Sequence, residues 1–136
     1  MNTLEVYKKI EDENIAIIPF KINGIKGASI QSSDNQGILL NYDEFEDADE
    51  EFCVVAHEYG HCVTGAFYTF NTDQTTKRKC EYKADRKTVI TFLPAERFRE
   101  AIEYGCQMPF EFAEYLDLPE KFVIMAYEHY KTMGLL

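Results

Sequence analysis

A pair of histidines four residues apart is the clearest chemical signal in the sequence. His57 and His61 frame the segment HEYGH, which is an H-E-x-x-H motif. In a helix, residues i and i+4 lie on one face about one turn apart, so both imidazoles can reach a single cation. Glu58 lies about 100° around the helix from His57. There it could accept a proton without binding the cation, so the motif predicts a metal site with Glu58 as the catalytic general base.

Two carboxylates on a following predicted helix extend this pattern. Nineteen residues separate Glu81 from His61, which is enough chain to end one helix, turn back and start an antiparallel neighbour. Zinc hydrolases of the two-histidine, one-carboxylate type leave the fourth position open for water, so we expect Glu81 to be the third Zn²⁺ ligand beside His57 and His61. Asp85 follows one turn later on the same face. It could accept the second ring N–H of a ligating histidine and so fix its tautomer.

Some features of this site stay open at the level of sequence. A structural zinc domain fits poorly, because such sites fill four protein positions, commonly with cysteine. Cys53 and Cys62 flank the motif, but neither falls on the histidine face of an ideal helix. Amide hydrolysis also needs a donor for the developing oxyanion. The candidates are His129, Tyr59, Tyr82 and Arg86.

The elements that must position these residues change in type along the chain. Three apolar, β-branched segments separated by turn residues predict strands, at residues 14–21, 28–32 and 37–42. An antiparallel meander joins them most economically. Helical spacing predicts a short helix over residues 3–13 and then five more, over residues 42–65, 76–93, 95–104, 109–116 and 119–133. Strands followed by helices predict an α+β class, with an N-terminal antiparallel three-stranded sheet and a bundle of about five helices.

Composition limits the classes of function. A chain of 136 residues suits a single domain, and we expect one over residues 1–136, with residues 94–136 as a C-terminal helical subregion. The net charge of −10 opposes direct binding to nucleic acid or to an anionic membrane. The chain shows neither a long apolar stretch nor a signal-peptide pattern, and its four cysteines are irregularly spaced. We therefore expect a cytoplasmic protein with free thiols.

The order of the motifs resembles a known family. H-E-x-x-H, nineteen residues and E-x-x-x-D together are similar to the pattern of gluzincin metallopeptidases. In so short a chain they resemble the ImmA/IrrE family of metallo-endopeptidase domains from phages and mobile elements, whose third ligand lies in an E-x-x-A-D/N segment. The segment EYKAD at residues 81–85 has this form, and residues 94–98 and 112–116 also resemble the small phage members.

The resemblance implies a fold, a reaction and a partner. It implies a small zincin-like domain in which the H-E-x-x-H helix carries a zinc endopeptidase site. Family members cleave or inactivate helix-turn-helix repressors encoded beside them. The strand at residues 37–42 would then lie near the cleft, where an extended substrate could add to the sheet edge. The alternative is a metal-stabilised interaction module that sequesters its partner without proteolysis.

Overall fold

The computed structural model describes residues 2–136 and has the predicted α+β architecture. A three-stranded sheet follows one short helix and precedes five more. In chain order the elements are α1 (Asn2–Asp12), β1 (Ala16–Pro19), β2 (Gly27–Gln31), β3 (Gln36–Leu40), a 3₁₀ turn (Tyr42–Glu44), α2 (Ala48–Thr64), α3 (Gln74–Phe92), α4 (Ala95–Tyr104), α5 (Pro109–Leu116) and α6 (Glu120–Thr132). The predicted bounds of α4 and α5 are confirmed.

The sheet departs from the predicted antiparallel meander. Its order is β1-β3-β2, and β3 pairs parallel with β1 and antiparallel with β2. The meander was wrong because it placed β2 in the centre, whereas the most apolar strand takes that place. Ile38 and Leu40 of β3 are fully buried. Pro19 ends β1 and has no N–H to donate, which suits an edge strand. Consequently β2 is the other edge strand.

Helix α2 packs against α1, α3 and the sheet. Asp47 caps its N-terminus by accepting a hydrogen bond from the backbone N–H of Glu50 at 2.8 Å, and Gly65 ends it with a φ of 68°. Phe52 anchors the helix in the core, with its ring edge-on to the rings of Phe92 and Phe122. These contacts fix α2, and therefore its histidines, relative to α3 and α6.

The thiols match the prediction from the sequence. Cys53, Cys62, Cys80 and Cys106 are all free. Within residues 2–136, no helix has both the length and the apolar character that crossing a bilayer would require.

Candidate active site

The contact between α2 and α3 brings three predicted ligands together. The Nε2 atoms of His57 and His61 lie 3.1 Å apart. The carboxylate of Glu81 reaches both rings, with Oε2 2.9 Å from His57 Nε2 and Oε1 3.0 Å from His61 Nε2. One ligand atom from each residue lies within 4.8 Å of the others, so the cluster could hold a metal ion.

The outer nitrogen of each imidazole has its own partner. His57 Nδ1 lies 2.8 Å from Asp85 Oδ1, and His61 Nδ1 lies 2.6 Å from the carbonyl oxygen of Ala66. Each ring therefore carries a proton on Nδ1, so that in the neutral form the lone pair of Nε2 would face a metal bound in the cluster. Two imidazoles and one carboxylate form a donor set that fits a divalent metal such as zinc, with one position left for substrate or water.

Gly60 explains why α3 can approach so closely. A Cβ at Gly60 would overlap the carbonyl oxygen of Ala84 and would lie 2.8 Å from Cγ2 of Thr88. The absence of a side chain thus lets α2 pack onto the backbone of α3 beside Glu81 and Asp85. The role of Gly60 was not predicted from the sequence, although a glycine inside a predicted helix is a signal of close packing.

Burial and charge act together on His57 and Glu58. Burial disfavours the charged imidazolium of His57, but the hydrogen bond to Asp85 and the nearby carboxylates outweigh it and raise the pKa to about 9. Glu58 is 9% exposed, and this burial raises the pKa of its carboxyl, opposed in part by the two histidines and the Ser29 hydroxyl. Glu58 therefore holds a proton more tightly than an exposed glutamate does.

These residues surround a small cavity, which we call the metal cleft. It has a volume of about 280 Å³ and is lined by the three predicted ligands, Glu58, the start of β2 (Gly27, Ala28 and Ser29) and two loop aromatics, Phe67 and Tyr68. The loop between α2 and α3 therefore contributes directly to the site.

Tyr68 is a cleft residue that was not predicted from the sequence. Its hydroxyl donates a hydrogen bond to the Glu81 carboxylate, and this bond is the main reason why the pKa of Tyr68 rises to about 12. Its ring lies edge-on to His61 with centroids 6.1 Å apart. The phenol is thus a neutral donor at the predicted ligands. No spacing rule marks a tyrosine in a loop, so the sequence carried no signal for it.

The four predicted oxyanion donors lie elsewhere among the described residues. Tyr59 is buried against Phe92, with ring centroids 5.8 Å apart. His129 packs on the ring of Tyr82 at 4.9 Å. Arg86 is exposed and, like the other three, is absent from the lining of the metal cleft. Tyr82 and Arg86 each follow a site carboxylate by one residue, which turns them about 100° away around α3.

The strand beside the metal cleft is β2, so the expectation that residues 37–42 border it was wrong. Both edges of β3 are already paired, with β1 and β2. Asn41 N–H donates to the Lys26 carbonyl, and Ser32 N–H to the Asn35 carbonyl. Alternation along an antiparallel ladder then turns the N–H and C=O groups of Gly27, Ser29 and Gln31 outward. Among the described residues, no further strand pairs with this edge of β2 at the cleft.

Comparison with known proteins gave one family match. The family model described as the IrrE N-terminal-like domain, a peptidase family, matches residues 10–127. The matched range includes the whole sheet, α2, α3 and every residue that lines the metal cleft. Neither a curated protein nor a solved structure gave a match.

Proposed function

The chain belongs to the family of IrrE N-terminal-like domains, which are metallopeptidase-like, and on this premise we propose that it is a zinc-dependent endopeptidase. The observation that carries the proposal is the convergence of His57, His61 and Glu81, with Glu58 beside them in the same cleft. A structural site would use its fourth position for another side chain and would not need a buried carboxylate next to the cluster. In this proposal residues 1–136 act as one metallopeptidase domain, with residues 94–136 as its C-terminal helical subregion.

His57, His61 and Glu81 would hold the metal, and Asp85 would orient His57. When bound, zinc supplies a Lewis acid for the scissile carbonyl and lowers the pKa of water toward about 7. Glu58 accepts a proton from the attacking water as the new C–O bond forms. It then delivers this proton to the departing amine as the C–N bond breaks, so that one water is consumed for each bond cleaved.

Tyr68 is the side chain best placed to stabilise the oxyanion. Its hydroxyl already points at the predicted ligand Glu81. Ser29 offers the other hydroxyl of the metal cleft, but it is bonded to Glu58, the proposed base. The partner of Tyr68 is instead a predicted ligand, and a metal would compete with the phenol for this carboxylate. We assign Tyr68 the role of donating a hydrogen bond to the oxygen of the scissile carbonyl as negative charge develops there.

The outward N–H and C=O groups of β2 suit an extended segment of a protein substrate, which would add to the sheet as a further strand. The substrate that we propose is a helix-turn-helix repressor of a phage or mobile element, cleaved at a specific site. Two arguments support it: the resemblance of the motifs, and the net charge of −10, which attracts the basic surface of a DNA-binding protein while repelling DNA itself. The four free thiols agree with action in the cytoplasm.

Metal analysis paired with a cleavage assay tests this function. The protein, Glu58→Gln and a control, Glu114→Gln on the exposed face of α5, would be loaded with zinc and incubated with the repressor encoded beside the gene and with a proteome-derived peptide library. We expect one zinc per chain in all three and cleavage by all except Glu58→Gln. Zinc in all three with the repressor bound but intact would support the sequestration module instead. A folded protein that holds no zinc would refute the site.

A further inference from the structure

A second and larger cavity adjoins the metal cleft. It has a volume of about 840 Å³ and shares Gly27, His57 and Glu58 with the cleft. We call it the apolar cavity, because most of its wall area is apolar. The apolar side chains come from the β1–β2 loop, α2 and α6 (Ile25, Cys53, Val54, Phe122 and Met125), and charged residues such as Lys26, Glu50 and Lys121 complete the lining. Its size falls within the range of roughly 300–1,000 Å³ that is typical of ligand sites.

We infer that the apolar cavity receives a large apolar side chain of the protein substrate, at the residue that follows the scissile bond. This inference rests on the proposed function and adds the substrate preference. The inference is based on the continuity of the two spaces at Glu58. A peptide bond held at Glu58 lies directly beside the apolar cavity.

The direction of β2 decides which side of the scissile bond the cavity serves. Along the chain, Gly24 and Ile25 line only the apolar cavity, Gly27 lines both spaces, and Ser29 lines only the metal cleft. A substrate that pairs antiparallel with β2, the commoner and slightly more stable arrangement, runs from the Ser29 end toward Gly24. Its residues after the scissile bond therefore lie at the apolar cavity.

The charged groups around the cavity do not favour a charged occupant. Glu50 is bonded to Lys26 at 2.8 Å, and Asp85 is bonded to His57. The charged lining residues Asp49, Glu120 and Lys121 are exposed to solvent, which screens them. Burial raises the pKa of the Cys53 thiol to about 11, so this side chain is neutral and forms part of the apolar wall. Val54 and Met125 are only half-buried, which leaves apolar surface for an aliphatic or aromatic side chain to cover.

The closing experiment measures binding as well as cleavage. The probes are succinyl hydroxamates that bind zinc and carry hydrogen, isobutyl or benzyl at the carbon that corresponds to the residue after the scissile bond. Calorimetry on the zinc-loaded protein should show affinity rising at least about tenfold from hydrogen to isobutyl. In the peptide library, cleavage before Leu, Ile, Met or Phe should exceed cleavage before Gly or Ala by a similar factor.

Filling the cavity should remove this preference. Met125→Trp enters it from α6, and Cys53→Met enters it from α2 if the first variant folds poorly. The matched control is Ile124→Trp, because Ile124 neighbours Met125 on α6 but is 42% exposed and does not line the cavity. We expect the gain from isobutyl to fall below about threefold in the filled variants, since a lost apolar contact is worth about tenfold or more, and to persist in the control.

The outcomes separate the two proposals. Equal affinity for all three hydroxamates, or a gain that survives in both filled variants, would overturn the proposed role of the cavity. The same results are expected if the cavity binds a small molecule instead of a substrate side chain. A gain that depends on the cavity, in a protein that cleaves no peptide, would support the cavity and refute the peptidase. If the folded protein holds no zinc and binds no hydroxamate, both proposals fall.

Discussion

The metal cleft and the apolar cavity lie side by side at Glu58 and differ in the interactions that their side chains make. In the cleft, polar groups bond to one another: His57 to Asp85, His61 to a backbone carbonyl, and Tyr68 to Glu81. In the cavity, apolar surface makes up most of the wall and leaves an open space. The difference indicates that the chemistry depends on fixed hydrogen bonds, whereas the choice of substrate depends on shape and apolar contact. Changes on one side should therefore leave the other intact.

After the loss of Glu58, the largest effect should come from removing the Tyr68 hydroxyl. Tyr68→Phe should lower kcat by about 10²–10³-fold, which is the usual cost of losing one oxyanion donor, while zinc content and KM stay near their normal values. Steady-state kinetics on a cleaved library peptide would measure it. Tyr82→Phe is the control, because Tyr82 lies outside the cleft. A normal kcat in Tyr68→Phe would remove this residue from the mechanism.

Gly60→Ala should damage the cleft through its framework. The added methyl group meets the Ala84 carbonyl, which cannot move without displacing α3, so we expect a loss of about 1–3 kcal/mol in the free energy of unfolding and weaker zinc binding. Gly37→Ala provides the comparison, since the nearest atoms to its Cβ would belong to the flexible side chains of Ile18 and Ile30. Urea denaturation and zinc titration measure both quantities. Equal stability of the two variants would contradict the argument.

Asp85→Asn should weaken the metal site without unfolding the protein. Loss of a carboxylate that orients a ligating histidine typically costs 10–100-fold in metal affinity. Competition with a chelator would measure the change, and Asp34→Asn in the β2–β3 turn should show none. The hydroxamate preference for isobutyl should survive once zinc is saturating, because the apolar walls are unchanged. If zinc affinity stayed normal in Asp85→Asn, the bond between Asp85 and His57 would not contribute to metal binding.

The smallest effect should come from the edge of β2. Gln31→Pro removes one outward N–H and should lower kcat/KM for protein and peptide substrates by about 2–10-fold, the worth of one hydrogen bond, while hydroxamate affinity stays constant. Ile30→Pro is the contrasting variant, because Ile30 bonds inward to Gly37 and its loss should destabilise the sheet. A normal kcat/KM in Gln31→Pro would argue against strand addition at β2.

The two regions also differ in what the sequence could reveal. His57, His61, Glu81 and Asp85 follow helical spacing, and a period of 3.6 residues places them on one face whatever the rest of the fold does. The close approach of α3 depends on Gly60. Its role can be recognised only when its neighbour on α3, the backbone of Ala84, is known.

The structural features that could not be predicted from the sequence depend on packing between distant segments. The order of the sheet follows from competition among strands for the buried centre, which Ile38 and Leu40 of β3 occupy. Tyr68 lies in a loop without periodicity, and the apolar cavity needs α6 beside α2, some 60 residues apart along the chain. These features were therefore inaccessible to spacing rules.

The two hydrogen bonds that orient the histidines differ in how easily a mutation can remove them. A single codon change can remove the Asp85 carboxylate, but the partner of His61 is a main-chain carbonyl, which is present whatever side chain residue 66 carries. That half of the site is instead vulnerable to insertions or deletions in residues 65–73, which would shift the carbonyl away from the ring. Ala66 is 8% exposed, so a survey of natural or laboratory variants should find small residues such as Gly or Ser tolerated there more readily than changes in the length of this loop.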